Sequence, residues 1–222
     1  MRQTRRAYRV VATRGDDQEA SPAPLNDGSA STRLDFLAKA LIAAGAVGLG
    51  GGLAVALPRL AVSAPSQDQD VEIFKFVLVL EYLQAAFYGR AVSQGGLDGD
   101  LLEFAQVAAE HERAHVVLFE NALGSETPER PTFDFGDRTR DPGAFGPAAV
   151  DLEDLVVSAY NGQGPNLTKA ALAQAGRIVS VEARHAAWVR SIVGENPAPD
   201  ATDEARNVAE AKAAMEQFGG GQ

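Results

Sequence analysis

Glu112-x-x-His115 and Glu182-x-x-His185 are the residues of this chain best suited to do chemistry, and they use two of its three histidines. On a helix, positions i and i+3 share a face, so each pair aims a carboxylate and an imidazole the same way. Carboxylate oxygen and imidazole nitrogen are ligands for first-row transition metals. A single pair of this kind is weak evidence, because Glu and His three residues apart also form surface ion pairs. Two such pairs inside apolar stripes, joined by Glu81 and Glu153 in matching stripes, are far more specific. A lone carboxylate is expensive to bury, whereas four facing one core make sense around a cation.

The elements that must position these groups are helices. A first helix is expected over about 68–93, capped by Asp68 or Asp70 and ended by Gly95-Gly96. Its inward stripe reads Phe74, Leu78, Glu81, Ala85, Tyr88, Val92. A second, capped by Asp98 and running to Leu123, carries Leu101, Ala105, Ala108, Glu112, His115, Phe119 and Ala122. The short turn between them makes an antiparallel hairpin. Residues 124–147, rich in Pro, Gly, Asp and Arg, read as a long crossover. A third helix, about 148–161, holds Ala149, Glu153, Val156 and Tyr160, and Gly162-Gln163-Gly164-Pro165 breaks it. A fourth, about 167–193, holds Leu172, Ala175, Ile178, Glu182, His185, Val189 and Ile192. A last helix, about 202–217, packs on the outside. The expected fold is therefore all-α: a four-helix bundle with a long helix 2–helix 3 crossover and an extra C-terminal helix.

One Glu from each of two helices and Glu-x-x-His from each of the other two is the di-iron or di-manganese carboxylate pattern. It predicts two metals, each with one histidine, bridged by some of the carboxylates. Iron and manganese suit these donors, and zinc is favoured over both by affinity order alone. In the first hairpin Glu81 and Glu112 fall at one level. In the second, Glu153 lies too near its turn by a rise on the order of 10 Å. That rise must come from 162–166, or the third helix must run past 161. Glu110 and His111 fall off the stripe and read as a solvated face or a support behind the ligands. Glu103, Arg113 and Arg184 read as outward charges, Arg184 alternatively as such a support. Tyr82, Tyr88 and Tyr160 read as core or rim, the last two on inner stripes.

With 222 residues, one domain plus tails is expected, and 45% hydrophobic residues can bury a full core. No cysteine is present, which excludes disulfides, thiolate metal sites and Cys nucleophiles. A net charge of −10 argues against nucleic acid as a partner. Residues 1–33, with a basic start and then turn signals, read as a disordered tail. Residues 34–64 read as an export signal, glycine-rich and apolar, with Val62 and Ala64 at −3 and −1 of a cleavage site. Arg33-Leu34-Asp35-Phe36-Leu37-Ala38-Lys39 resembles a twin-arginine signal, with Leu34 where the second arginine belongs. The protein is expected outside the cytoplasm, periplasmic or extracellular. The alternative is a membrane anchor at 36–57, the only membrane contact expected. Residues 65–196 then form the bundle, and 197–222 the C-terminal helix and a flexible tail.

The segments Val79-Leu80-Glu81-Tyr82-Leu83-Gln84-Ala85-Ala86-Phe87-Tyr88 and His111-Glu112-Arg113-Ala114-His115-Val116 resemble the ferritin-like superfamily. So do Glu153-Asp154-Leu155-Val156-Val157-Ser158-Ala159-Tyr160 and Val181-Glu182-Ala183-Arg184-His185-Ala186-Ala187. The likeness covers about 68–193 and is closest to the secreted proteins grouped with desiccation-related proteins. It implies a ferritin-like bundle with Glu81, Glu112, His115, Glu153, Glu182 and His185 as metal ligands. Two iron ions, alternatively manganese, would react with oxygen or peroxide in stress protection, as a ferroxidase, a peroxidase-like protein or a manganese catalase-like enzyme. The competing reading is a secreted stress-related bundle in which the metal only stabilises the core. A homodimer is compatible with either, and nothing in the sequence specifies cage contacts.

Overall fold

A computed structural model describes residues 64–219, which contain helices, turns and extended connections and no strand. The expected tail (1–33) and, but for its last residue, the expected export or anchor segment (34–64) lie outside the described residues. No helix among the described residues is long and apolar enough to cross a membrane.

Four long helices carry the fold: α1 (Gln67–Gln94), α2 (Gly99–Leu123), α3 (Pro142–Gln163) and α4 (Lys169–Val193). A shorter α5 (Val208–Met215) follows. α1 packs on α2 and α3, and α4 packs on α3 and α2, so the four close around one axis. Ser66, not Asp68 or Asp70, caps α1, accepting from the Gln69 amide at 3.2 Å. Asp70 is buried instead and accepts from the Thr168 amide (2.9 Å) and hydroxyl (2.6 Å), tying the start of α1 to that of α4. Asp98 stands at the N-cap of α2 without a side-chain capping bond.

α3 is longer than its sequence suggests, at both ends. It starts at Pro142, where a missing N–H is harmless because the first helical amides have no intrahelical partner. Asp141 caps it by accepting from the Gly143 amide at 2.8 Å. Pro147 lies inside the helix and gives up one hydrogen bond to the preceding turn. At the other end α3 runs through Gly162 to Gln163 and continues as a 3₁₀ turn, Gly164–Asn166. This supplies the rise that the second hairpin lacked. Ten residues of α-helix after Glu153 and three of 3₁₀ give about 21 Å, against about 20 Å for the thirteen residues from Lys169 to Glu182.

Gly162 does not break the helix; it admits a neighbour. A Cβ there would lie 1.8 Å from the Arg206 carbonyl oxygen. The segment 195–207 crosses the outside of α3 at this point, and the Arg206 amide donates to the Ser158 carbonyl at 2.9 Å. The last helix starts only at Val208, later than expected, because Asn207 and Glu210 form a capping box there. It packs on α3 through Ala211 and Met215, followed by buried Phe218.

The crossover is anchored by aromatics. Phe135 packs edge-on against Phe87 at 5.3 Å, and Phe87 stacks on Phe145 at 5.3 Å. Phe74 and Phe119 meet edge-on at 5.2 Å elsewhere in the core. Two expected inner-stripe residues point outward instead: Ala122 is exposed, and Leu172 is 39% exposed. Ala171 and Ala175 are buried in the first turns of α4.

Candidate metal centre

Near mid-height the bundle buries Glu81, Glu112, Glu153 and Glu182, each with no exposed surface. α1 contributes Glu81, α2 Glu112 and His115, α3 Glu153, and α4 Glu182 and His185. The helical i, i+3 spacing brings each histidine to its own glutamate. Nδ1 of His115 is 3.1 Å from Glu112 and 3.3 Å from Glu81. Nδ1 of His185 is 3.5 Å from Glu182 and 3.8 Å from Glu153.

The two central glutamates face both ways. Glu112 turns Oε2 to His115 and Oε1 to His185, the latter at 3.3 Å. Glu182 turns Oε1 to His115 at 3.0 Å and Oε2 to His185. The donors thus fall into two groups, Glu81/Glu112/His115/Glu182 and Glu112/Glu153/Glu182/His185, with donor atoms in each within 4.8 Å of one another. Glu112 and Glu182 belong to both. All six residues named from the sequence are brought together.

The outer glutamates are held from behind. Tyr160 donates its phenol to Glu81 Oε1 at 2.5 Å, and Tyr88 donates to Glu153 Oε1. Each tyrosine lies seven residues after the glutamate of its own helix and bonds the glutamate of the other, so α1 and α3 are equivalent about the centre. Tyr82 stands apart, donating to Glu120 at 2.8 Å beneath the Arg130 guanidinium.

Two further residues belong to this neighbourhood, and the sequence singled out only the second of them, His111. Gln84, fully buried, donates from Nε2 to Glu153 Oε2 (3.1 Å) and Glu182 Oε2 (3.2 Å). Its signal was present: Glu81-x-x-Gln84 has the spacing of the two Glu-x-x-His pairs. His111 is exposed and at the same time stands behind a ligand, so both parts of its expected reading meet in it. Its Nδ1 lies 2.8 Å from Nε2 of His185, and the two rings stack at 5.1 Å. A partner on the far ring nitrogen fixes the tautomer and orientation of a metal-binding histidine. Glu110, Glu103, Arg113 and Arg184 are exposed as expected. Arg184 and His111, with Val107, Ala114, Val181 and Trp188, border a groove of about 500 Å³ that reaches His115 and His185.

The electrostatics of the cluster call for positive charge. Burial opposes protonation of His115, but the adjacent carboxylates of Glu112, Glu182 and Glu81 outweigh it and push its pKa up to about 12. His185 is likewise raised to about 10, against burial, chiefly by Glu112 and Glu182. Burial raises Glu81 to about 8 and lifts Glu153 well above the carboxylate range, the latter helped by the charge of Glu182. Glu182, also opposed by burial, is held down at about 2 by His115 and His185.

The donor set also fits a metal by what it leaves unmatched. Glu81 Oε2, Glu112 Oε1, Glu182 Oε1 and His185 Nδ1 are buried without a hydrogen-bond partner, although such groups are ordinarily satisfied. All four belong to the two donor groups. Four carboxylates and two neutral imidazoles balance two divalent cations in charge, and oxygen and nitrogen donors without sulfur suit iron or manganese.

A family model described as a ferritin-like domain matches residues 69–195. The chain belongs to the ferritin-like domain family. The matched stretch covers α1 to α4 with all six donor residues and stops before α5. No curated protein matches the chain. The all-α bundle expected from the sequence is the observed fold, and the buried cluster of this ferritin-like domain is compatible with a di-metal site.

Proposed function

We propose that this ferritin-like protein is exported and holds two iron ions, alternatively manganese, that react with oxygen or peroxide in protection against stress. The observation that carries the reading is the pair of donor groups sharing Glu112 and Glu182. Each shared glutamate offers one oxygen to either side, as a bridge between two metals requires. Glu81 and His115 would complete one site, and Glu153 and His185 the other. Iron there would supply one-electron exchange with oxygen or peroxide. The chain's own groups do the rest: Tyr160 and Tyr88 hold the outer oxygens of Glu81 and Glu153, and His111 fixes the His185 ring. The groove beside His115 and His185 gives a small oxidant a way in from solvent. Export, and the nearer kinship with secreted desiccation-related proteins, are part of the proposal and rest on the glycine-rich segment at 34–64 and the motifs quoted above.

A purely stabilising role is the second reading, favoured by the four buried carboxylates that a metal would neutralise whether or not it turns over. Anaerobic loading with Fe(II), followed by addition of oxygen or peroxide, separates the two. The redox reading predicts about two irons per chain and consumption of the oxidant. Full loading with no consumption, and a melting temperature that falls on chelation, would leave only the stabilising role.

A further inference from the structure

The equivalence of α1 and α3 is broken beside the centre. Glu81 and Glu153 correspond, and so do Tyr88 and Tyr160, seven residues further on. Three residues after each glutamate stand Gln84 in α1 and Val156 in α3, both buried. One half of the centre thus has a buried amide where the other has a hydrocarbon. The amide sits on the side of Glu112/Glu153/Glu182/His185: its two acceptors, Glu153 Oε2 and Glu182 Oε2, are the oxygens that face His185.

Gln84 is imperfectly satisfied. Its Oε1 is fully buried and has no hydrogen-bond partner, and a buried acceptor left unpaired is destabilising. A half-turn about the last side-chain bond exchanges the oxygen and the NH2 group. In either orientation one end stays unpartnered, so what lies among the carboxylates decides which end points inward. Bare carboxylates favour the NH2 group. A cation drawing on the same carboxylate lone pairs repels the N–H dipoles and attracts the oxygen. The amide is also neutral, so it adds a donor without disturbing the match of four carboxylates to two divalent charges.

We propose that Gln84 supplies its amide oxygen to the metal held by Glu112, Glu153, Glu182 and His185, so that the two metal positions are unequal in ligand number and affinity. The inference rests on the di-metal reading. Its test is calorimetric titration of the whole protein with Co(II), together with the visible absorption of the bound metal. The wild type should take up two Co(II) ions in two resolved steps. Gln84→Met keeps the side-chain length and removes the amide. It should weaken one step about tenfold or more, the same step that Glu153→Gln removes, and leave the other unchanged. Gln84→Glu retains an oxygen donor; that step should stay at least as tight as in wild type, with an altered absorption band. Two unchanged steps in Gln84→Met, a tightened one, or a weakened step whose absorption band stays that of the wild type would overturn the inference; in the last case the amide only donates to the carboxylates. If Gln84→Met does not fold, Gln84→Glu decides, and wild-type absorption in that variant overturns it. These results leave the di-metal reading standing, whereas a wild type that binds no Co(II) removes both.

Discussion

Tyr160 and Tyr88 each give a phenolic hydrogen to a carboxylate on the opposite helix, and in doing so assign the two oxygens of Glu81 and Glu153 different tasks. One oxygen is fixed to the protein, and the other is left for the centre. Tyr160→Phe should therefore lower the melting free energy by about 1–3 kcal/mol, the cost of an unmatched buried acceptor. Metal stoichiometry should be unchanged, since the phenyl ring fills nearly the same space; thermal melting beside metal analysis checks both. Protonation gives a second expectation. His115, His185 and Glu81 hold protons more tightly in the folded chain than their ordinary values of 6.5, 6.5 and 4.5 allow. The folded state then binds more protons than the unfolded one, so the metal-free protein should lose stability as pH rises from about 4.5 to about 12. Raised pKa values favour the protonated forms of these groups in the metal-free chain, so divalent cations must compete with protons for them. Calorimetry in buffers of different ionisation enthalpy should show protons released from these donors and from Glu153, whose pKa is also raised, and metal affinity should rise with pH. Uptake without proton release would contradict the assignment of these donors.

α3 is where sequence and structure part. The stripes of α1, α2 and α4 are long and regular, so a 3.6-residue period places Glu81, Glu112, His115, Glu182 and His185 without tertiary information. α3 is bracketed by Pro142, Pro147 and Gly162-Gln163-Gly164-Pro165, all of which read as breakers when the chain is alone. Pro142 is harmless at a helix start, and Gly162 is a contact point for the segment ending at Arg206, which no local pattern reveals. Gly162→Ala tests this. The added methyl meets backbone rather than a movable side chain, so the segment 195–207 should be displaced and the melting temperature should fall. Metal uptake should persist, because Glu153 lies more than two turns away. A variant as stable as wild type would deny the contact. His111 was legible only as one of two alternatives. It is one residue off the stripe of Glu112, and only the neighbouring α4 puts His185 within its reach. Gln84 was legible in spacing but lacked the residue type that marks a ligand.

At the scale of the molecule, the bundle concentrates four carboxylates where no solvent reaches them and offsets them with two imidazoles. A cation bound there stabilises the folded chain by about 2.7 kcal/mol per site at a hundredfold excess over its dissociation constant. Folding and metal binding are therefore coupled, whatever chemistry the metal performs. The four helices leave an opening to the centre at the groove between α2 and α4, and Tyr88, Tyr160 and Gln84 close the core from α1 and α3. The central claim is that two metals share Glu112 and Glu182. The direct measurement is metal stoichiometry in Glu112→Gln beside Glu81→Gln, by anaerobic Fe(II) titration of folded protein. Loss of a shared donor should abolish or severely weaken both sites, and loss of Glu81 should affect one, leaving about one iron per chain. Equal stoichiometries in the two variants, or two irons retained in Glu112→Gln, would contradict a centre bridged by that residue.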